Sequence, residues 1–179
     1  GEPVETSITN PAGDDGVVAM QLDPQTMSIF VAALECAPLG SQTALAIPAD
    51  LLGEGASPLV IVAQAVEAVP LTATGADEEA TAGFPEVTLA EDGRPTVTIP
   101  EGDAPTDTQI ALLKKGDGPT VGVGDTVFLQ YEGVKWSDGT VFDSSWERGA
   151  FTNFATTDVV EGFGQAPEGQ QVGSQVVVV

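Results

Sequence analysis

The chain has 179 residues, enough for one domain or two small ones, and its 5 basic and 27 acidic residues give a formal net charge of −22. This charge excludes nucleic acid and anionic membrane surfaces as partners, because both would be repelled. The chain has no histidine, which removes histidine-based metal sites and histidine general bases. No apolar stretch is long enough to cross a bilayer, so we predict no membrane span.

The first part of the chain predicts strands around one short helix. A strand is predicted at 17–22, and an apolar helix follows over 27–34. Further strands are predicted at 43–47 and at 59–63, the latter as a buried strand bounded by prolines. The chain has one cysteine, Cys36, which cannot form an internal disulfide and which we interpret as a core residue.

The second part of the chain begins with a polar stretch and continues with short β segments. Residues 71–94 are acidic, so we predict a linker there. An extended piece is predicted at 96–100 and a strand at 109–113. The sequence Ser137-Asp138-Gly139 lies between the β-rich runs 126–131 and 140–142, and Asp-Gly in this setting predicts a hairpin that pairs the two runs.

An internal repeat links the two parts. Six residues of one segment recur at a constant offset of 133: Phe30, Ala33, Glu35, Gly40, Ser41 and Gln42 match Phe163, Ala166, Glu168, Gly173, Ser174 and Gln175. The matched segment begins in a predicted helix and ends at the start of a predicted strand. We therefore predict two related units.

Four motifs between residues 131 and 174 carry a family resemblance. They are Tyr-x-Gly at 131–133, Asp-Gly-x-x-Phe-Asp-Ser-Ser at 138–145, Gly-Phe at 162–163 and Val-Gly-Ser at 172–174. Through them the chain, from about residue 106 to its end, resembles the FKBP-type peptidyl-prolyl cis-trans isomerases, and the repeat resembles tandem, actinobacterial-like members.

The resemblance implies an α+β fold in which an antiparallel β half-barrel wraps on a short helix. Combined with the repeat, it implies two incomplete copies. We expect a degenerate FKBP-like unit, the C-terminal part of the fold, at 1–70, an acidic linker at 71–94, and a second unit at 95–179. The second unit lacks the family's flap and last strand, so 175–179 is expected to be an exposed apolar strand end. Two accounts stay open, a longer protein cut at both ends or complementation of the second unit by residues 1–70.

The resemblance also implies a site. Asp143, Tyr131 and Phe142 would be catalytic, with Asp143 held near Arg148 and Tyr131. The substrate-binding residues would be Arg148, Val159, Val160 and Phe163. Each also has a structural reading. Tyr131 and Phe142 could be ordinary inward strand residues, and Phe163 is helix core in either case. The run Asp143-Ser144-Ser145 could be only a turn or a helix cap, and Asp143 with Arg148 could be a structural ion pair.

Some positions depart from the family pattern. Thr152 stands where the family usually has an aromatic pocket residue. Pro167 interrupts the predicted helix, because proline lacks the backbone donor. Trp136 and Trp146 lie outside the matched pocket residues, so we expect surface or rim aromatics.

We predict a peptidyl-prolyl cis-trans isomerase that acts on X–Pro bonds, assists the folding of exported proteins, and needs no cofactor or metal. The alternative is a non-catalytic FKBP-like module for protein binding or structure. Expected partners are proline-containing peptides or proteins and macrolides such as rapamycin. Because the chain begins at Gly1 rather than methionine, we expect a secreted or cell-surface protein, with a cytoplasmic location left open.

Overall fold

The computed structural model describes residues 28–35, 37–66, 68 and 70–179. Across these residues strands are frequent and helices are short. The chain divides into two compact units between residues 69 and 70. The predicted strand at 17–22 and Cys36 lie outside the described residues.

The first unit contains one helix and one hairpin. Its elements are α1 (Ser28–Leu34), β1 (Gln42–Ile47), a 3-10 helix (Ala49–Leu51) and β2 (Leu59–Gln64). The two strands pair antiparallel, with Gln42 opposite Gln64 and Ile47 opposite Leu59. The helix lies against β1. The prediction of a helix and two strands in this region is therefore confirmed.

The prediction that 59–63 is a buried strand was wrong in part. The strand forms, but its residues alternate between half-buried and exposed. Val60 and Val62 are 72% and 63% exposed. Leu45 and Ile47 on β1 are buried, so the hairpin has one covered face, and the valines lie on the opposite one.

The second unit, residues 70–179, contains four small sheets, two short α-helices and one 3-10 turn. Its strands are β3 (Ala76–Asp77), β4 (Glu86–Leu89), β5 (Pro95–Thr98), β6 (Ile110–Lys115), β7 (Thr126–Leu129), β8 (Glu132–Val134), β9 (Val141–Ser144), β10 (Thr152–Ala155) and β11 (Gln175–Val178). Its helices are α2 (Ser145–Arg148), a 3-10 turn (Thr156–Asp158) and α3 (Glu161–Gln165). Together with the first unit this is an α+β fold.

Antiparallel pairing joins the strands as β11–β6–β3, β10–β7, β4–β5 and β8–β9. The strand end at 175–179 was predicted to be exposed, but β11 pairs with β6 and its residues are half-buried. The range 71–94, where the sequence predicts a linker, carries β3 on the other side of β6 and the first strand of the β4–β5 hairpin.

The predicted hairpin has a different first strand. The strand that pairs with β9 is β8, whereas β7 pairs with β10. The turn explains the difference. The amide of Lys135 donates to the carbonyl of Thr140 at 2.9 Å, and the side chain of Asp138 accepts from the amide and hydroxyl of Thr140 at 3.0 and 2.6 Å. This closure brings the residues just before Lys135 opposite β9.

Helix α3 ends at Gln165, in agreement with the interruption expected from Pro167. In the part of the chain that the structure describes, no helix has the length and hydropathy needed to span a membrane.

Two glycines of α3 give a matched test of its packing. A Cβ on Gly164 would lie 2.1 Å from the carbonyl oxygen of Thr156, whereas a Cβ on Gly162 would lie 3.5 Å from the Thr108 hydroxyl. We expect Gly164→Ala to lower the free energy of unfolding by roughly 1–3 kcal/mol through overpacking. Gly162→Ala should be neutral or slightly stabilising, because alanine favours helix. Urea unfolding of both variants checks this, and equal stabilities would contradict it.

Candidate functional site

The candidate site forms where β8 and β9 meet α2. Tyr131 directly precedes β8, Asp143 lies in β9, and Arg148 ends α2. Ser145, which is fully buried, links the start of α2 to the residue before β8. Its hydroxyl accepts from the amide of Tyr131 at 2.9 Å, and its own amide donates to the Tyr131 carbonyl at 3.0 Å. The backbone of Tyr131 is therefore tied to the start of α2.

Three polar side chains of this frame contact one another, and we call Tyr131, Asp143 and Arg148 the polar triad. The Tyr131 hydroxyl donates to one oxygen of Asp143, and the Arg148 guanidinium pairs with the other. Arg148 also donates to the Tyr131 hydroxyl at 3.1 Å, and its Cζ lies 5.2 Å from the centroid of the Tyr131 ring. A cation over an aromatic face is a favourable arrangement.

The triad favours one charge state. The hydrogen bond from Tyr131, with a further contribution from Arg148, lowers the pKa of Asp143 against the opposing effect of burial. Burial and the hydrogen bond to Asp143 raise the pKa of Tyr131. The site therefore holds a carboxylate, a neutral phenol and a guanidinium at neutral pH.

An aromatic cluster lies beside the triad. The Phe163 ring on α3 packs between two others, with its centroid 4.8 Å from that of Tyr131 and 4.8 Å from that of Phe154. The planes are tilted by 60° and 36°, as is common for aromatic pairs. Strand β10, helix α3 and the start of β8 thus meet at one apolar contact. Phe163 is half-buried and joins the aromatic cluster to the candidate site.

The remaining predicted pocket residues are more open. Phe142 and Val160 are 65% and 76% exposed, and Val159 is half-buried. Phe142 does not take part in either of the two aromatic pairs described above. Its ring lies over Gly133 instead, since a Cβ built on that glycine would come within 2.6 Å of the ring. The glycine of the Tyr-x-Gly motif therefore leaves room for the Phe142 side chain.

Comparison with known proteins gives the family. Residues 118–179 match the family model of the FKBP-type peptidyl-prolyl cis-trans isomerases. The FK506-binding protein of Streptomyces anulatus is similar, with 38% identity over 84 residues, which are 46% of this chain and 68% of the relative. A probable FK506-binding protein of Corynebacterium glutamicum is 33% identical over 82 residues, 46% of this chain and 70% of the relative.

The chain belongs to the FKBP-type peptidyl-prolyl cis-trans isomerase family. The motifs that predicted this membership also predicted the meeting of Tyr131, Asp143 and Arg148, and the structure places these side chains in contact. At one position where the chain departs from the FKBP pattern, Thr152 has a polar contact of its own. Its hydroxyl oxygen accepts from Arg148 at 3.0 Å, so this threonine adds a hydrogen-bond partner to the triad.

The two tryptophans are half-buried rather than fully at the surface. Trp136 donates its indole N–H to the carbonyl of Gly102 at 3.0 Å. The indole nitrogen of Trp146 is buried and has no hydrogen-bond partner among the described residues. Within that same part of the chain, no group of three or more histidine, cysteine, aspartate or glutamate side chains could hold a metal ion.

Sequence reasoning allowed that residues 143–145 form a cap, but it missed Glu132 as the partner of Ser144. Glu132 and Ser144 lie next to Tyr131 and Asp143 in the chain, and the Ser144 hydroxyl donates to the Glu132 carboxylate at 2.9 Å. A signal for Ser144 was present, because Ser144-x-x-Glu147 has the spacing of a helix capping box. The structure shows half of that box, in which the amide of Glu147 donates to Ser144 at 3.3 Å.

The lowered pKa of Asp143 gives a titration test. Its ionised form contributes stability above the ordinary aspartate pKa of about 3.9, and that contribution is lost as the pH falls through the lowered pKa. We expect Tyr131→Phe to raise the Asp143 pKa, because the hydrogen bond from Tyr131 is the largest cause of the shift. Carboxyl carbon NMR measures the midpoints.

Asp138 is the internal control for this titration. Hydrogen bonds from Thr140 lower its pKa, and they do not involve Tyr131. Its midpoint should therefore be the same in both proteins. An unchanged Asp143 midpoint in Tyr131→Phe would contradict the assignment.

Proposed function

We propose that residues 95–179 catalyse the cis–trans isomerisation of X–Pro bonds, with Asp143, Tyr131 and Phe142 as the catalytic residues. Substrate binding is assigned to Arg148, Val159, Val160 and Phe163. The observation that carries the proposal is the polar triad, held beside an aromatic cluster in a member of a peptidyl-prolyl isomerase family.

Isomerisation of an X–Pro bond requires few chemical groups. Rotation about the peptide bond has a barrier of about 18–20 kcal/mol because amide resonance is lost when the bond twists. Any environment that stabilises the twisted amide relative to the planar one accelerates rotation. No nucleophile, metal or cofactor is required. An apolar surface that removes water and a few oriented polar groups are enough.

The exposure of two apolar side chains supports their assignment to substrate binding. Phe142 and Val160 can hold a proline ring because they are open to solvent in the free protein. Asp143 is the polar group that faces the twisted carbonyl. Its two oxygens are already bound by Tyr131 and Arg148, so its orientation is set before the substrate arrives. Preorganisation of this kind costs no rearrangement during rotation.

FKBP domains bind proline-containing peptides and FK506-like macrolides, and we propose both as ligands of this site. A role in folding exported proteins and a location outside the cytoplasm are predictions from the sequence alone.

We also propose that residues 1–70 are a second, degenerate copy of the fold, that residues 71–94 connect it to the copy at 95–179, and that the sheets of each copy wrap on its helix as a half-barrel. The repeat supports the two copies at the level of the backbone. Gly40 and Gly173 both have positive φ, 82° and 91°. The serine after each glycine donates its amide three residues back, to Pro38 or to Gln171, at 3.0 Å in both cases. A strand then begins at Gln42 and at Gln175.

Catalysis is tested by Asp143→Asn, which removes the charge and keeps the shape. If Asp143 acts on the twisted imide, kcat/KM for a proline tetrapeptide should fall by roughly tenfold to a hundredfold, the effect of about 1–3 kcal/mol from one polar contact. A protease-coupled or exchange-NMR assay measures the rate. Asp138→Asn makes the same change of charge in the neighbouring turn and should leave the rate intact. Wild type that binds proline peptides without accelerating isomerisation would favour the binding-module alternative.

Ligand binding is tested by Phe142→Ala. The side chain is 65% exposed, so its loss should change the free energy of unfolding by less than about 1 kcal/mol while abolishing binding of proline peptides and FK506. Phe128→Ala is the control, because Phe128 is a partly exposed phenylalanine on β7, 43% exposed. Phe163→Ala should lose binding together with roughly 3–5 kcal/mol of stability. Equal ligand affinity in wild type and Phe142→Ala, measured by calorimetry, would remove the site assignment.

A further inference from the structure

The β4–β5 hairpin brings an arginine to the candidate site from outside the residues that match the family model, 118–179. Arg94 lies at the end of the hairpin loop. The loop is closed by a hydrogen bond from the amide of Ala90 to the Arg94 carbonyl at 2.9 Å, and the Arg94 amide donates to the Asp92 side chain at 3.0 Å. Gly93, with φ of 82°, allows the tight turn. The closed hairpin loop therefore fixes the backbone position of Arg94.

Arg94 binds two carboxylates of the β8 and α2 region. Its Nε donates to Glu132 at 2.9 Å and its Nη2 lies 2.8 Å from the same oxygen. The Nη2 group also lies 3.1 Å from Glu147. The side chain of Glu132 is 5% exposed, so its charge depends on this arginine for compensation within the described structure.

Ser144 closes these contacts into a cycle, which we call the Arg94 network: Arg94, Glu132, Ser144 and Glu147. The Ser144 hydroxyl donates to the same Glu132 oxygen that Arg94 binds, at 2.9 Å. The Ser144 oxygen in turn accepts from the amide of Glu147 at 3.3 Å. Ser144 is 2% exposed, so this part of the cycle is shielded from water.

The network and the polar triad occupy neighbouring positions in the chain. Glu132 follows Tyr131, Ser144 follows Asp143, and Glu147 precedes Arg148. Each triad residue therefore shares a peptide bond with a residue that the network holds. A shift of Glu132, Ser144 or Glu147 therefore moves the backbone of the neighbouring triad residue with it.

We propose that Arg94 is a positioning residue for the candidate site. It acts through Glu132 and Glu147 to keep the side chains of Tyr131, Asp143 and Arg148 in contact with one another. This inference rests on the proposed function for its catalytic consequence, while its structural part concerns the triad alone. The two-pronged contact needs the planar fork of a guanidinium, which a lysine does not offer.

The experiment compares four variants of the full chain: Arg94→Met, Arg94→Lys, the double variant Arg94→Met with Glu132→Gln, and Lys114→Met. The last is a matched control, because Lys114 pairs with Asp77 at 2.5 Å and its loss changes the net charge by the same amount. Three quantities are measured: the Asp143 midpoint by carboxyl NMR, the thermal unfolding midpoint, and kcat/KM for a proline tetrapeptide.

We expect Arg94→Met to raise the Asp143 midpoint and to lower kcat/KM about tenfold, because a small misplacement of catalytic groups is costly. Arg94→Lys keeps the charge but loses the fork, so it should show most of both changes. The double variant removes the stranded carboxylate. It should recover thermal stability without recovering the Asp143 midpoint or the rate. Lys114→Met should match wild type in all three.

Two results would overturn the inference. If Arg94→Lys behaves as wild type while Arg94→Met does not, Arg94 acts by its charge alone. If the double variant recovers the Asp143 midpoint together with stability, Arg94 only neutralises Glu132. A wild-type chain without isomerase activity would count against the proposed function. The Asp143 midpoints would still decide whether Arg94 positions the triad.

Discussion

In the second unit, the buried carboxylate of Glu132 links the β4–β5 hairpin loop, β8 and the start of α2. Glu132 is 5% exposed, and a carboxylate so far from water is tolerated only when other groups complete its hydrogen bonds and balance its charge. Arg94 and Ser144 do this. The hairpin loop, β8 and the start of α2 must therefore keep one mutual arrangement for the unit to be stable. The residues of the polar triad lie in or next to these same elements, and their positions depend on the same arrangement.

The candidate site combines two kinds of surface. One is charged and already satisfied, since Asp143 accepts from Tyr131 and Arg148 before any substrate is present. The other is apolar, with Phe163 packed below and Phe142 open to solvent. A reaction that only rotates a bond benefits from this combination. It needs an environment that differs from water and does not change during the reaction, which rigid side chains supply better than mobile ones.

Local patterns in the sequence predicted much of both units. The Asp-Gly turn, the strands near 43–47 and 109–113, and the family motif that joins Tyr131 to Asp143 and Arg148 all depend on nearby residues. The choice of β8 over β7 as the partner of β9 follows from hydrogen bonds of the turn at 135–140, which the Asp-Gly pattern alone does not specify. The open valines of β2 and the contact of Arg94 with Glu132 are decided by tertiary packing, which overrides local propensity. Arg94 is 38 residues from Glu132, and no spacing rule connects them.

The net charge of −22 gives this arrangement an unusual response to dissolved salt. The chain has two arginines, Arg94 and Arg148. Each forms ion pairs with carboxylates of the second unit. Repulsion among the many surface carboxylates opposes the compact state, and mobile ions weaken that repulsion. The Glu132 carboxylate is 5% exposed and is therefore little open to those ions, whereas the pair of Asp143 and Arg148 is exposed. Moderate ionic strength should therefore favour folding by weakening the repulsion, while it loosens the ion pair of the polar triad.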